Sequence, residues 1–202
     1  MPAAFPTLAY FVGMVLEIVV RAPYAMQRRK IERVDRRVTV SEAIALVVLS
    51  LGSFVIPLVY ALTSLLSFAD YAISAQARSL LGLAGLVPLA AAIWVFWRSH
   101  HDLGAYWSPS LEIGANQQLV THGVYASIRH PMYASFLLWG LAQPMLLQNW
   151  IAGSAGLIVF LVLLLARMPQ EEAMMLDHFG EEYRAYSART GRVIPRVWVG
   201  RR

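Results

Sequence analysis

From Met132 to Ala166 the chain runs for 35 residues without a charged side chain. As one helix this stretch would be about 52 Å long, against a hydrocarbon core of roughly 30 Å. It therefore has to fold back on itself. Gln148-Asn149 is the polar break, and Trp150 beside it suits an interface. Two short helices result. Gln143 and Pro144 in the first of them predict a local kink whose freed groups face protein, because hydrocarbon cannot satisfy them. Three more apolar runs come earlier: Phe5 to Val20, interrupted only by Glu17; Ala43 to Leu66; and Leu80 to Trp97, which ends in Trp94, Phe96 and Trp97. The expectation is an all-α, polytopic helical membrane protein with about five transmembrane helices and a cytoplasmic C-terminal helical segment.

Composition supports that class. The chain is 58% hydrophobic and 14% charged, where soluble domains carry about 25% charged residues. It has no cysteine, hence no disulfide framework and no thiol chemistry. The net charge of +5 raises a nucleic-acid reading, but the arginines cluster at the ends of apolar segments, which suits lipid headgroups and argues against nucleic acid. Lys30 is the only lysine, a bias that fits a GC-rich microbial genome and nothing more; the expected location is the cell (inner) membrane of a prokaryote. The N-terminus lacks a basic n-region and a small-residue cleavage site, so the first apolar segment is expected to stay as an anchor.

Loop charge sets an expected orientation. Arg21, Arg28, Arg29, Lys30, Arg33, Arg36 and Arg37 lie between spans one and two, and seven arginines from Arg167 to Arg202 lie at or beyond the end of span five. Only Arg78 lies between spans two and three, and no basic residue lies in the turn between four and five. The positive side faces the cytoplasm, so the N-terminus should face out, with the C-terminus and the active site cytoplasmic.

Two polar segments remain. His100 to His130 carries Leu103-Gly104, Trp107-Ser108-Pro109 and Gly123-Val124-Tyr125, and reads as a structured loop. In the second, Pro169 suits the start of a new helix with Glu171 and Glu172 in its first turn. There Met175, Phe179, Tyr183 and Tyr186 form one apolar stripe, fit to lie on the membrane surface or cover a site, and Gly191 and Pro195 end it.

The ordered set Leu119-Val-Thr-His-Gly-Val-Tyr125, Arg129-His-Pro-Met-Tyr133, Glu171-Glu172 and His178-Phe-Gly-Glu-Glu-Tyr183 resembles the isoprenylcysteine carboxyl methyltransferase family, within a wider group of membrane phospholipid methyltransferases. The resemblance runs from about Leu103 to Pro195. It implies S-adenosyl-L-methionine as cofactor and a cytoplasmic-face pocket formed by Gln117, Gln118, Leu119, Val120, Tyr125, His130, Pro131, Met132, Tyr133 and Glu171. Arg167 matches the family's arginine near the substrate. The implied division is 1–98, three transmembrane helices with a basic loop, and 99–202, the catalytic half. Gln117 stands where the family often has His, and Thr121-His122 where a small residue often precedes the glycine.

The chemistry is compatible. Methyl transfer from a sulfonium is one in-line displacement that needs no metal and, for a carboxylate nucleophile, no general base; the protein positions two reactants and excludes water. Tyr125 and Tyr133 can face the sulfonium. Glu171 can pair with the cofactor's ammonium, and His130 or the backbone N–H groups at Pro131 can take its carboxylate. Arg167 can hold a substrate carboxylate in a bidentate contact. The implied partner is a lipophilic or prenylated substrate within membrane lipid.

Other readings stand beside these. Arg129 and His130 also suit interfacial anchors, Tyr125, Tyr133 and Trp107 an aromatic belt, and Arg167 and Glu171 a simple pair four residues apart. Glu172, Glu181 and Glu182 suit a solvated face. His100, His101, His122 and His178 match no metal-ligand spacing. For the whole chain the alternatives are N- or O-methylation of a phospholipid or isoprenoid, with Glu172 or His130 as base for an amine, an NADPH-dependent membrane reductase, and a non-catalytic membrane subunit.

Overall fold

The computed structural model describes residues 4–28, 33–36, 44, 47–108, 111–114 and 117–196. Helix α1 spans Ala4–Arg28, α2 Val47–Leu62, α3 Ala75–Leu103, α4 Pro131–Leu147, α5 Trp150–Phe179 and α6 Glu181–Arg189. Strand β1, Arg33–Arg36, pairs antiparallel with β2, Glu112–Gly114. Among the described residues, α1, α3 and α5 are long and apolar enough to cross a membrane, with α2 and α4 as shorter apolar helices. The chain is an all-α polytopic membrane protein. Its outer faces carry side chains suited to lipid, including Val15, Ile18 and Val19 on α1 and Ile158, Val162 and Leu165 on α5.

The fold-back falls at the polar pair. Gln148 ends α4 in the left-handed conformation, and Asn149 caps α5 by accepting from the N–H groups of Ile151 and Ala152. The same two residues fasten this turn to the loop between α2 and α3 and to the first turn of α3. Asn149 Nδ2 donates to Leu66 O (2.7 Å) and Asp70 Oδ1 (2.9 Å), Gln148 Nε2 donates to Arg78 O (2.7 Å), and Arg78 Nη1 returns a bond to Gln148 Oε1. Both turns therefore lie at one end of the bundle.

Close helix contact rests on small residues, as expected where no hydrophobic gain separates a leucine side chain from lipid. A Cβ at Gly153 would stand 2.7 Å from Pro144 Cα, so α4 and α5 meet there at backbone distance. Beside that contact Gln143 is fully buried and donates to Gly52 O (3.1 Å) and Ala152 O (2.6 Å). Gly52 lies in a π-helical turn, Leu51–Val55, just before Pro57. Proline cannot donate to the ladder, and polar side chains occupy this irregular stretch: Gln143 bonds Gly52 O, and Tyr10 Oη donates to Ser53 O. Tyr10, Trp139, Leu89, Ala92 and Leu146 pack around these contacts as the core.

Two expectations are corrected. Pro169 does not start a helix; it lies inside α5, which runs 30 residues to Phe179. Met168 and Met174 are buried on either side of it, and that packing carries the helix past the missing donor. The stop is Gly180, at φ 54°, whose N–H bonds Leu176 O. The stripe Met175, Phe179, Tyr183 and Tyr186 is consequently split between α5 and α6. The β1–β2 ladder is an addition that the apolar pattern did not signal.

Candidate active site

At the end of the bundle away from the α2–α3 and α4–α5 turns, the helices and the polar segments enclose a cavity of about 200 Å³. All eleven residues singled out in the sequence line it: Gln117, Gln118, Leu119, Val120, Tyr125, His130, Pro131, Met132, Tyr133, Arg167 and Glu171. The stretch 117–120 follows β2. Tyr125 sits on a 3-10 turn, Gly123–Ala126. His130 to Tyr133 open α4, with Pro131 in the first turn, where its missing N–H costs nothing. Arg167 and Glu171 lie one turn apart on α5.

Glycine at 123 is required twice over. Its φ is +59°, and a Cβ there would run into the Asp102 carboxylate. Asp102, at the end of α3, accepts from Val124 N–H (2.8 Å) and pairs with Arg98 (3.0 Å) and His101 (3.0 Å). That pins the turn and, with Tyr186 Oη donating to Tyr125 O (2.7 Å), fixes the Tyr125 ring at the cavity wall. Asp102 was not among the expected site residues. Its spacing ahead of Gly123 carried no local signal, because the two meet only through the fold.

Glu171 is held on two sides. Tyr133 Oη donates to its Oε2 at 2.6 Å, and His130 Nδ1 lies 3.8 Å from its Oε1. The Tyr133 and His130 rings stack at 5.3 Å. Burial alone would lower the His130 pKa, but the carboxylates of Glu171 and Glu172 outweigh it and raise the imidazole to about 9. His130 is thus a cation at neutral pH, shared between two carboxylates.

Glu172 is no solvated side chain, which corrects the sequence reading. Its carboxylate is 17% exposed and receives Arg129 (3.1 Å), His130 (3.3 Å) and Arg192 (2.8 Å). Arg129 in turn donates to Ser187 O (2.8 Å) and Thr190 O (2.5 Å). The backbone of 127–130 bonds that of 191–192, with Arg129 N–H to Gly191 O at 2.8 Å and His130 N–H to Arg192 O at 2.9 Å. The Arg-His-Pro motif therefore clamps the C-terminal segment, so that Tyr183 and Tyr186 of α6 close one wall of the cavity, as does Met175 of α5. Phe179 is not part of that wall. Arg129 acts as a staple, not as an interfacial anchor.

Further lining residues were not among the expected pocket residues. Arg21 enters from α1 and Leu49 from α2. Trp107 is buried and donates to Met132 Sδ (3.2 Å), and Glu112, buried on β2, accepts from Ser108 Oγ (3.1 Å). His100, a candidate metal ligand only by residue type, bonds Phe96 O (2.9 Å) and packs on Trp107. Among the described residues no group of three or more His, Asp or Glu side chains gathers as a metal site.

This arrangement offers a carboxylate for a cation, aromatic faces, and two arginines beside an apolar floor. Residues 83–177 match the profile of the Isoprenylcysteine carboxyl methyltransferase (ICMT) family. The chain is 35% identical over 79 residues to the protein-S-isoprenylcysteine O-methyltransferase of Schizosaccharomyces pombe, a match covering 39% of this chain and 34% of that protein. With the human protein of the same name it shares 35% identity over 77 residues, 38% of this chain and 27% of that one. The match thus spans about a third of the length of these relatives. The solved structure of the eukaryotic intramembrane Ras methyltransferase ICMT is similar at a TM-score of 0.42 and 24% identity, over 78% of this chain and 52% of that one. All but four of the cavity-lining residues fall within residues 83–177, the stretch that matches the isoprenylcysteine carboxyl methyltransferase family.

Proposed function

We propose that this chain is a membrane methyltransferase that uses S-adenosyl-L-methionine to methylate the carboxylate of an isoprenylcysteine-like, lipophilic acceptor. The observation that carries the reading is the cavity itself. Stretches around residues 117, 130 and 170 converge there on a carboxylate held by Tyr133 and His130. The donor set fits the cofactor: Glu171 would take its ammonium, Tyr125 and Tyr133 would face the sulfonium, and the first turn of α4 would offer N–H groups to its carboxylate. Gln117 to Val120 would line the remaining wall. When bound, the cofactor supplies an electrophilic methyl group. The protein holds the acceptor in line, with Arg167 at its carboxylate, and excludes water beneath Tyr183 and Tyr186.

The state of the polar groups favours a carboxylate nucleophile over an amine. An amine has to lose a proton, and the two candidate bases are committed. His130 already carries its proton, and Glu172 is tied to three cations. A carboxylate needs neither. The division into an N-terminal half, 1–98, and a catalytic half, 99–202, belongs to this reading, although Arg21 and Leu49 of the first half also reach the cavity.

The test compares methyl transfer from labelled cofactor to an N-acetyl-S-prenylcysteine and to a total lipid extract. The expected result is a base-labile methyl ester on the prenylcysteine. Label only in the lipid fraction would replace this acceptor with a phospholipid or isoprenoid. Saturable NADPH binding without binding of S-adenosylmethionine would move the chain to the reductase class.

The same reading orients the protein with its N-terminus outside and its cavity cytoplasmic. Asp70 and Asn149 bridge to each other, so reporter fusions at both should read as external. A fusion after Arg37, which lies outside the described residues, should read as cytoplasmic. A cytoplasmic signal at Asn149 would overturn the orientation.

A further inference from the structure

One arginine on α1 stands apart from the basic cluster that the sequence assigned to headgroups. Arg21 turns inward. Its guanidinium lies 5.1 Å from the Phe96 ring centroid and 5.5 Å from that of Trp107, and it lines the cavity. Its Nε is buried without a hydrogen-bond partner among the described residues. Glu17, one turn back on α1, offsets the charge electrostatically, yet its own Oε1 is likewise buried and unbonded. An arginine resting on aromatic faces keeps its N–H edges free for a planar anion. The burial leaves one of those N–H groups in want of an acceptor.

Position decides which anion. Phe96 packs on Phe136, which with Leu49 and Leu163 forms an apolar part of the wall. Arg167 follows Leu163 by one turn. Arg21 is therefore at the apolar end of the cavity, while Glu171, His130 and Tyr125 come from the polar end. An amphiphile entering with its tail among apolar side chains would bring its acidic head to Arg21.

We infer that Arg21 binds the anionic head of the methyl acceptor alongside Arg167, making α1 a determinant of acceptor specificity outside the family-matched stretch. This rests on the methyltransferase reading, but it can be tested by binding alone. The probes are an N-acetyl-S-prenylcysteine and its neutral methyl ester, measured at equilibrium against the purified full chain, Arg21→Met and Arg21→Lys. The unmodified protein should prefer the acid by about tenfold or more, the scale of one charged hydrogen bond. That preference should collapse in Arg21→Met, which keeps an apolar stem on the rings, and survive in part in Arg21→Lys. Because the preference is a ratio within one preparation, partial misfolding cancels from it. Affinity for S-adenosylmethionine should change by less than about twofold, well within 1 kcal/mol.

An acid preference untouched in Arg21→Met would overturn the assignment, as would its absence in the unmodified protein. A loss of S-adenosylmethionine affinity as large as the loss of acid affinity would overturn it too, giving Arg21 to the cofactor's carboxylate. Failure of methyl transfer to every acceptor would remove the functional reading while the acid–ester comparison still decided the role of Arg21.

Discussion

Glu171→Gln is expected to weaken S-adenosylmethionine binding by roughly one to two orders of magnitude. A hydrogen bond to a charged group contributes about 1.5–3 kcal/mol, and an amide in place of the carboxylate removes the charge while keeping the shape. The site is built to present that charge. Tyr133 donates to one oxygen at 2.6 Å, His130 stands 3.8 Å from the other, and the helix that carries Glu171 lies against the cavity. Two contributions have to be separated. The carboxylate also feels the Arg167 charge one turn away, so Glu171→Gln, Arg167→Ala and the double variant form a cycle whose coupling measures their mutual interaction. Tyr133→Phe is the second comparison. It removes one donor and leaves the charge, so it should cost less than Glu171→Gln. Titration calorimetry of protein in nanodiscs gives the constants directly. An unchanged dissociation constant in Glu171→Gln would take the carboxylate out of the cofactor site.

The helical hairpin was legible because a bilayer has one thickness. An uncharged run longer than that thickness has to turn, and in this chain only Gln148-Asn149 could satisfy a turn's polar groups. The same logic placed Gln143 against protein, where it bonds Gly52 and Ala152. Pro169 was misread for a reason of the same kind. A proline names a missing donor, but whether a helix ends there depends on packing, and Met168 and Met174 hold α5 together across it. The glycine that does end α5 was visible in His178-Phe-Gly-Glu-Glu, with two acidic residues opening the next helix. The apolar spacing of Met175, Phe179, Tyr183 and Tyr186 runs straight across it and masks the break.

The site residues were gathered from short motifs in one half of the chain, and their meeting in one cavity depends on residues with no local signature. Asp102 holds the turn that carries Tyr125, and Arg129 locks the C-terminal segment over the opening. Glu172 looked like a surface acid because its three cationic partners lie 20 to 43 positions away in sequence. Arg21 looked like a headgroup contact because the positive loop begins beside it. Sequence charge counting assigns a side to a loop; it does not say which member of the loop turns back into the protein.

Arg167→Ala is expected to leave cofactor affinity nearly intact while lowering turnover by about 10²-fold, the scale of a misplaced reactant. Arg167 follows Leu163 by one turn on α5 and precedes Glu171 by another, so it lines the cavity between the apolar wall and the held carboxylate. If it orients the acceptor's carboxylate as the methyl group moves, kcat and kcat/KM should fall together; loss of ground-state affinity alone would raise KM and spare kcat. The two arginines then separate by kinetics: Arg21→Met should act mainly on acceptor affinity, and Arg167→Ala on turnover. Arg167→Lys discriminates further. A guanidinium fork grips both oxygens of a carboxylate, whereas an ammonium is a point charge on a flexible stem, so lysine should restore little activity. An arginine that only reached for the membrane surface would be replaced by lysine at small cost. Near-full activity in Arg167→Lys would thus make this residue an interfacial anchor and leave Arg21 as the remaining candidate for the acceptor's carboxylate.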